Sequence, residues 1–369
     1  MAKTGKSLTG LALQKFRKNF WGVLSFIFIV AMLLVAVFAY VLAPDKTQNA
    51  NWGDLAIHSK PPGFSVTLLR LPTATPDDGM AFTEYFTGNE NPQPKVALLD
   101  YAIKGDSLTY REYTDERDLA ITKSMALSQF NIPAGSTFEK EYISTEKFIL
   151  GTDSQGRDLL SRLIIGSRVS LAIGFVAVFI SLVVGIFFGA IAGYYGGRVD
   201  AFVMWLVNII WSIPTLLLVI AITLALGKGF WQVFVAVGLT MWVEVARVVR
   251  GQVMGIKQMQ YVTAARALGY NNRRIIFNHI LPNSMAPVIV ISAANFASAI
   301  LVESGLSFLG LGAQPPVPSW GGMIKDHYNY IILGKPWLAL APGIAMLLLV
   351  LAFMMAGNAL RDALDVKSE

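Results

Sequence analysis

Little in this chain is equipped to make or break bonds. No cysteine occurs among the 369 residues, so disulfides, thiolate metal sites and cysteine nucleophiles are excluded by count. The three histidines, His58, His279 and His327, stand far apart in sequence, which argues against a multi-histidine metal site. A phosphate loop of the form Gly-x-x-x-x-Gly-Lys-Ser/Thr is absent, and so are Gly-x-Ser-x-Gly and His-Glu-x-x-His. No catalytic residue, metal or cofactor is therefore expected, and the chain is not equipped to bind ATP in the P-loop manner.

What polar chemistry remains sits inside apolar runs. Glu244 and Glu303 are carboxylates where an ionised group is expensive. An interfacial ion pair with Arg247, a turn or less away, accounts for Glu244. Glu303, in Glu303-Ser304-Gly305, either pairs within a helix bundle or meets a solute. Asn208, Ser212 and Thr215 surround Pro214, which loosens a helix and frees hydrogen-bonding groups at mid-membrane depth. These three line a path or bond a neighbouring helix.

The elements that must position these residues follow from hydropathy. With 54% hydrophobic and 15% charged residues, and a mean hydropathy of +0.53, the chain is a membrane protein. A helix needs about 20 apolar residues to cross the hydrocarbon. Six segments qualify, at 20–43, 169–193, 201–226, 230–249, 286–308 and 337–357. The first has a basic start like a signal peptide, but its apolar run exceeds a signal core and reads as a retained anchor.

The net charge of +6 conceals an asymmetry. Residues 45–150 carry 15 acidic and 10 basic residues, while the rest carries 20 basic against 9 acidic. That excess lies in short stretches beside apolar runs, as in cytoplasmic membrane loops, and not in a nucleic-acid-binding domain. Lys3, Lys6, Lys15, Arg17 and Lys18 precede the first span without an acid. Six crossings return the C-terminus to the same side, together with a loop carrying Arg247, Arg250, Lys257, Arg266, Arg273 and Arg274. The outer loops hold only Lys228, and then Lys325, Asp326 and Lys335. Charge thus predicts an all-α polytopic protein of six transmembrane helices with both termini cytoplasmic: residues 1–19 inside, helix 1 at 20–43, an external insertion at 44–150 and a membrane core at 151–369.

Within the insertion, residues 96–113 alternate apolar and polar around Lys104-Gly105-Asp106, predicting a hairpin in a small, mainly β domain; disorder is the alternative. In the second span, Ser181, Gly185, Gly189 and Gly193, continued by Gly197, recur every four residues. Such a stripe lets another helix approach closely, within the chain or across a subunit seam.

The basic loop at about 247–285 is the most specific feature. Residues 262–268 predict a short helix with Ala264, Ala265 and Leu268 on one face, stopped by Gly269. A further turn carries Ile275, Ile276, Phe277 and Ile280 and ends at Pro282. Thr263, Ala264, Ala265, Arg266, Leu268, Gly269, Ile280, Leu281 and Pro282 resemble the Glu-Ala-Ala loop of binding-protein-dependent ABC importer permeases, with Thr263 in place of the motif's glutamate. In that family the loop forms a coupling helix that docks on an ATPase.

Three further stretches resemble the second, C-type permease of the oligopeptide/dipeptide/nickel branch. They are Gly151-Thr152-Asp153-Ser154-Gln155-Gly156-Arg157-Asp158 with Ser161 and Arg162; the run from Glu303 to Gly312 with Pro318-Ser319-Trp320-Gly321; and Leu360-Arg361-Asp362-Ala363-Leu364-Asp365. The resemblance implies the type I importer fold and a complex of this chain with a related permease, two cytoplasmic ATPases and an external solute-binding protein in the bacterial inner membrane. Peptides are the solute it favours, with nickel chelates or other small solutes as alternatives. An intramembrane enzyme or insertase, and a membrane-anchored receptor, are the competing classes. The former calls for a polar pair at one depth on facing helices, which the sequence does not make evident, and six spans are excessive for the latter.

Overall fold

The computed structural model describes residues 8–72, 83–90, 93–133, 135–227 and 229–364. Lys3, Lys6, Lys228 and Asp365, which entered the charge and motif arguments, lie outside the described residues. Helices α1 (Leu8–Lys18) and α2 (Phe20–Val37) are followed by a stretch containing five strands. After it come α3 (Leu159–Tyr195), α4 (Gly197–Trp211), α5 (Thr215–Leu226), α6 (Phe230–Ile256), α7 (Gln260–Ala267), α8 (Leu281–Phe308), α9 (Trp320–His327) and α10 (Trp337–Leu364). Among the described residues five helices are long and apolar enough to cross a membrane, or six spans are present if α4 and α5 form one.

Two compact units divide the chain, one taking residues up to Leu33, Val169–Gln314 and the chain from Ile344, the other Leu34–Arg168 and Pro315–Gly343. In the first unit the glycine stripe of α3 lies against α6. A Cβ added at Gly185 would come within 2.5 Å of Val245 Cβ, one at Gly189 within 2.5 Å of the Ala246 carbonyl oxygen, and one at Gly193 within 2.8 Å of the Arg250 carbonyl oxygen. Hydrocarbon gives no hydrophobic drive between helices, so this close approach supplies dispersion contact instead. The seam is therefore intrachain as far as Gly193. Gly197 lies outside it, with open space around it at φ +54°.

The segment expected at 201–226 is broken. Between α4 and α5 the axis turns by 92°. Pro214 cannot donate a backbone N–H, and Ser212 Oγ turns back to the Ile209 carbonyl at 2.7 Å. The stop expected at Pro282 in the basic loop also differs: this proline stands at the start of α8, and the chain is helical from Asn272 through Phe308. A π-helical stretch, Ile275–Ile280, precedes it, in which the Leu281 N–H reaches the Ile276 carbonyl. This wider turn accommodates a residue with no N–H to offer.

The second unit carries a five-stranded antiparallel sheet ordered β4-β3-β2-β1-β5, from β1 (Phe64–Arg70), β2 (Lys95–Lys104), β3 (Ser107–Glu112), β4 (Thr122–Ala126) and β5 (Ile143–Phe148). The β2–β3 hairpin pairs Lys104 with Ser107, with Gly105 at φ +59° in its turn. Alternation fills both faces. Leu69, Leu98, Leu108 and Tyr110 pack with Phe130 and Phe138. Val66, Leu68, Ala97 and Phe148 pack with Ile57.

Candidate functional site

The short helix α7 follows Met259 and is closed by Gly269 at φ +78°, a backbone that side chains with a Cβ adopt only at a cost. Val262 and Ala265 point inward, into a cluster with Val253, Ile275, Ile276 and Ile280. Ala264 and Leu268 face outward, Leu268 being 73% exposed. The expectation that Ala264 and Ala265 share a face is thus corrected, because adjacent helical residues diverge by about 100° and only one can face the core. Thr263, Arg266 and Gly269 lie on the exposed side. Tyr261 and Phe277 add exposed aromatic surface beside it. Ile280 is fully buried, Leu281 packs against the same cluster, and Pro282 is exposed. The result is a short protrusion, anchored by branched aliphatics beneath and presenting Thr263, Ala264, Arg266 and Leu268 above.

Tyr194, at the end of α3, ties this protrusion down. Its hydroxyl donates to Asn272 Oδ1 at 2.7 Å, the Lys257 ammonium donates to its carbonyl, and the Arg266 guanidinium stands 5.8 Å from its ring centre. On the far side of the loop, the Arg274 guanidinium lies 4.1 Å from the Tyr270 ring centre. Sequence reasoning missed Tyr194. Its signal in the sequence is its place directly after Gly193 of the glycine stripe.

Deeper in the helical unit, Arg250 and Asp200 form an ion pair between α6 and α4, at 2.6 Å from Nη2. Arg247 does not pair with Glu244, which corrects the expected interfacial pair. Its guanidinium donates to Asn208 Oδ1 at 2.8 Å and lies 3.8 Å from the Trp211 ring centre. Asn208, Ser212 and Thr215 are all exposed, whereas Glu303 is 1% exposed and accepts a hydrogen bond from Ser307 Oγ at 2.6 Å. The structure therefore brings Asn208, Ser212 and Thr215 to one exposed bend and places Glu303 inside the bundle.

Residues 185–367 match the family described as binding-protein-dependent transport system inner membrane component, and residues 7–62 match the N-terminal transmembrane domain of oligopeptide transport permease C. A dipeptide transport system permease of Alkalihalophilus pseudofirmus is 44% identical over 217 residues, covering 59% of this chain and 71% of its own. The chain belongs to the binding-protein-dependent transport permeases. A glutathione transport system permease of Pectobacterium atrosepticum is 41% identical over 218 residues, covering 59% of this permease and 72% of its own chain. A solved MetNI methionine ABC transporter in an inward-facing conformation, 21% identical, aligns over 56% of this permease and 96% of its own chain with a TM-score of 0.45.

Family membership makes this permease a polytopic helical membrane subunit of a transporter and not an enzyme. Residues 63–184, which include the sheet, fall outside both matched ranges.

A buried polar network in the second unit holds the motif that opens α3. Asp153 Oδ2 accepts from Arg157 Nε at 2.7 Å and lies 3.6 Å from Arg162 Nε, with all three side chains nearly inaccessible. Asp158 accepts from the Ser161 backbone and hydroxyl, and burial pushes its carboxyl above the usual carboxylate range against those bonds. His327 Nδ1 donates to the Met323 carbonyl at 2.8 Å, which leaves Nε2 to accept from Ser154. Burial depresses the His327 pKa.

Proposed function

We propose that this permease forms half of the membrane path of an ATP-driven importer for peptides. It would pair with a related second permease, rest on two cytoplasmic ATPases and receive solute from a binding protein outside. The observation that carries this reading is the protrusion at α7, whose exposed Ala264 and Leu268 stand on a buried aliphatic base with a left-handed glycine at its end. A small, stiff projection of this kind suits insertion into a groove on a partner, where a solvated basic hairpin would need neither the base nor the stop. The dipeptide and glutathione substrates in the relatives' names favour peptides as the solute.

In this reading α4 and α5 make one bent span, giving six crossings, and positive charge keeps both termini and the α7 loop in the cytoplasm. The sheet then lies outside, where it guides the binding protein or acts as a spacer. ATP-driven closure of the ATPases would move α7 as a lever and swing the spans between inward-open and outward-open states. Asn208, Ser212 and Thr215 would line the path at the bend.

Purification of the tagged permease from its native membrane tests the reading. Both ATPases and a second permease should copurify, and the reconstituted complex should take up di- or tripeptides only with ATP and the binding protein. Recovery of the intact permease with no ATPase would overturn it.

A further inference from the structure

We propose that Glu244 faces the translocation path and engages the positively charged amino group of a peptide in transit, an assignment that rests on the importer reading above. The helix bearing it, α6, is the most enclosed of the candidate spans. Glu244 is nevertheless exposed, between the buried Val243 and Val245. A carboxylate turned to lipid inside a span is expensive, so this position calls for water or a cation.

The cation nearest in sequence is committed elsewhere. Arg247, one turn along, has its guanidinium on Asn208 and against the Trp211 ring. Among the described residues Glu244 makes no ion pair. Its carboxylate is therefore free for a transient partner.

Depth follows from the contacts between α4 and α6. Asp200 meets Arg250, and Asn208 meets Arg247, so the two helices run antiparallel. One further turn along α6 is Glu244, and one further turn along α4 is the bend at Trp211–Thr215. The polar groups exposed at that level are a carboxylate, an amide and two hydroxyls, beside the exposed Trp211 and Ile213, a mixed wall that can meet both the charged end and the apolar side chains of a peptide. Below them Gly251 and Gly255 continue the exposed strip of α6, with nothing within 4 Å of where a Cβ would stand. That leaves room for a solute beside the helix.

A peptide entering this space gives up part of the hydration of its ammonium, and a free carboxylate replaces it. One charge met in passing, without a closed cage, binds weakly enough to release. Arg247, held aside on Asn208 and Trp211, leaves Glu244 without a permanent counter-ion.

The test uses the full complex reconstituted with its ATPases and binding protein. Because the chain has no native cysteine, Glu244→Cys gives a single thiol in this subunit. In the assembled, nucleotide-free complex it should react with a membrane-impermeant thiol reagent. Uptake is then compared for a tripeptide with a free amino terminus and its N-acetylated analogue, each normalised to its occupancy of the binding protein. Glu244→Gln should lower uptake of the free-amine peptide about tenfold relative to the acetylated one, with Glu244→Asp restoring most of the difference and copurification of all subunits retained. An unreactive thiol in the Glu244→Cys variant, an equal loss for both peptides, or no change would each overturn the assignment. A wild-type complex that assembles and carries neither peptide would overturn the peptide reading itself, and the assignment with it.

Discussion

The Tyr194 hydroxyl donates to Asn272 Oδ1 across 2.7 Å, joining the end of α3 to the start of the helical run that continues into α8. The Lys257 ammonium reaches the carbonyl of the same tyrosine, so the two strands of the loop that carries α7 are both fastened to α3 through one residue. In the importer reading this is where motion of α7 passes to the glycine-striped helix.

Tyr194→Phe should remove the hydroxyl bond while keeping the ring for Lys257 and Arg266. A bond of this kind contributes about 1 kcal/mol. The chain should fold and assemble, while ATP hydrolysed per peptide imported rises. Paired measurements of hydrolysis and uptake in proteoliposomes check this, and an unchanged ratio would count against Tyr194 as a link.

Much of this was legible in the sequence, for identifiable reasons. The hairpin around Gly105 and the long apolar helices follow from periodicity and length, which are local properties. The stop at Gly269 follows from glycine's tolerance of positive φ. The continuation through Pro282 was not legible, because a π-helical turn depends on the packing of Ile275, Ile276 and Ile280 beneath it. Nor was the choice Arg247 makes between Glu244 and Asn208, since i, i+3 spacing permits the ion pair and only the approach of α4 offers Asn208 and Trp211 instead.

The two alanines of α7 should separate folding from docking. Ala265→Asp puts a carboxylate among Val253, Val262 and Ile275, a burial without a partner, and should reduce the amount of folded permease in the membrane. Ala264→Asp lies on the exposed face and should leave that amount unchanged while weakening ATPase copurification. Gly269→Val should behave as Ala264→Asp, since the space around Gly269 is open and the cost is backbone strain at the loop. Membrane abundance and copurified ATPase, quantified together, distinguish these outcomes.

A similar contrast applies to the glycines. Gly189→Leu must displace Val249 or the Ala246 backbone and should destabilise the α3–α6 seam by about 1–3 kcal/mol. Gly251→Leu meets open space within the chain, so its thermal stability in detergent should match the wild type. Transport should nonetheless suffer if the strip below Glu244 borders the path. Melting temperature and uptake are the two readouts.

His327 makes the second unit sensitive to acid. Its folded pKa is depressed by burial, so near the ordinary value of 6.5 the unfolded chain binds the proton more readily. Its contribution is full above that value and is lost as pH falls toward the lower folded one. The buried Asp45 and Asp158, with pKa values raised, act with the opposite sign above the ordinary carboxylate value of 3.8. The difference between wild type and His327→Gln isolates the histidine. The wild type should lose more melting temperature than the variant between about pH 7.5 and 5.5, a window that brackets the ordinary histidine value, and parallel curves would refute the assignment.

Orientation is the prediction on which the import direction depends. Lys15, Arg17 and Lys18 before α2, and Arg266, Arg273 and Arg274 around α7, are basic groups without an acid among them, and the positive-inside rule holds such segments in the cytoplasm. An odd number of crossings between them and the sheet then puts residue 106, at the β2–β3 turn, outside. With no native cysteine to interfere, Asp106→Cys and Asn271→Cys can each be probed with an impermeant thiol reagent on spheroplasts. Asp106→Cys should label in intact spheroplasts, and Asn271→Cys only after permeabilisation. The reverse pattern would invert the topology, detach α7 from any cytoplasmic ATPase and remove the mechanical basis proposed for transport.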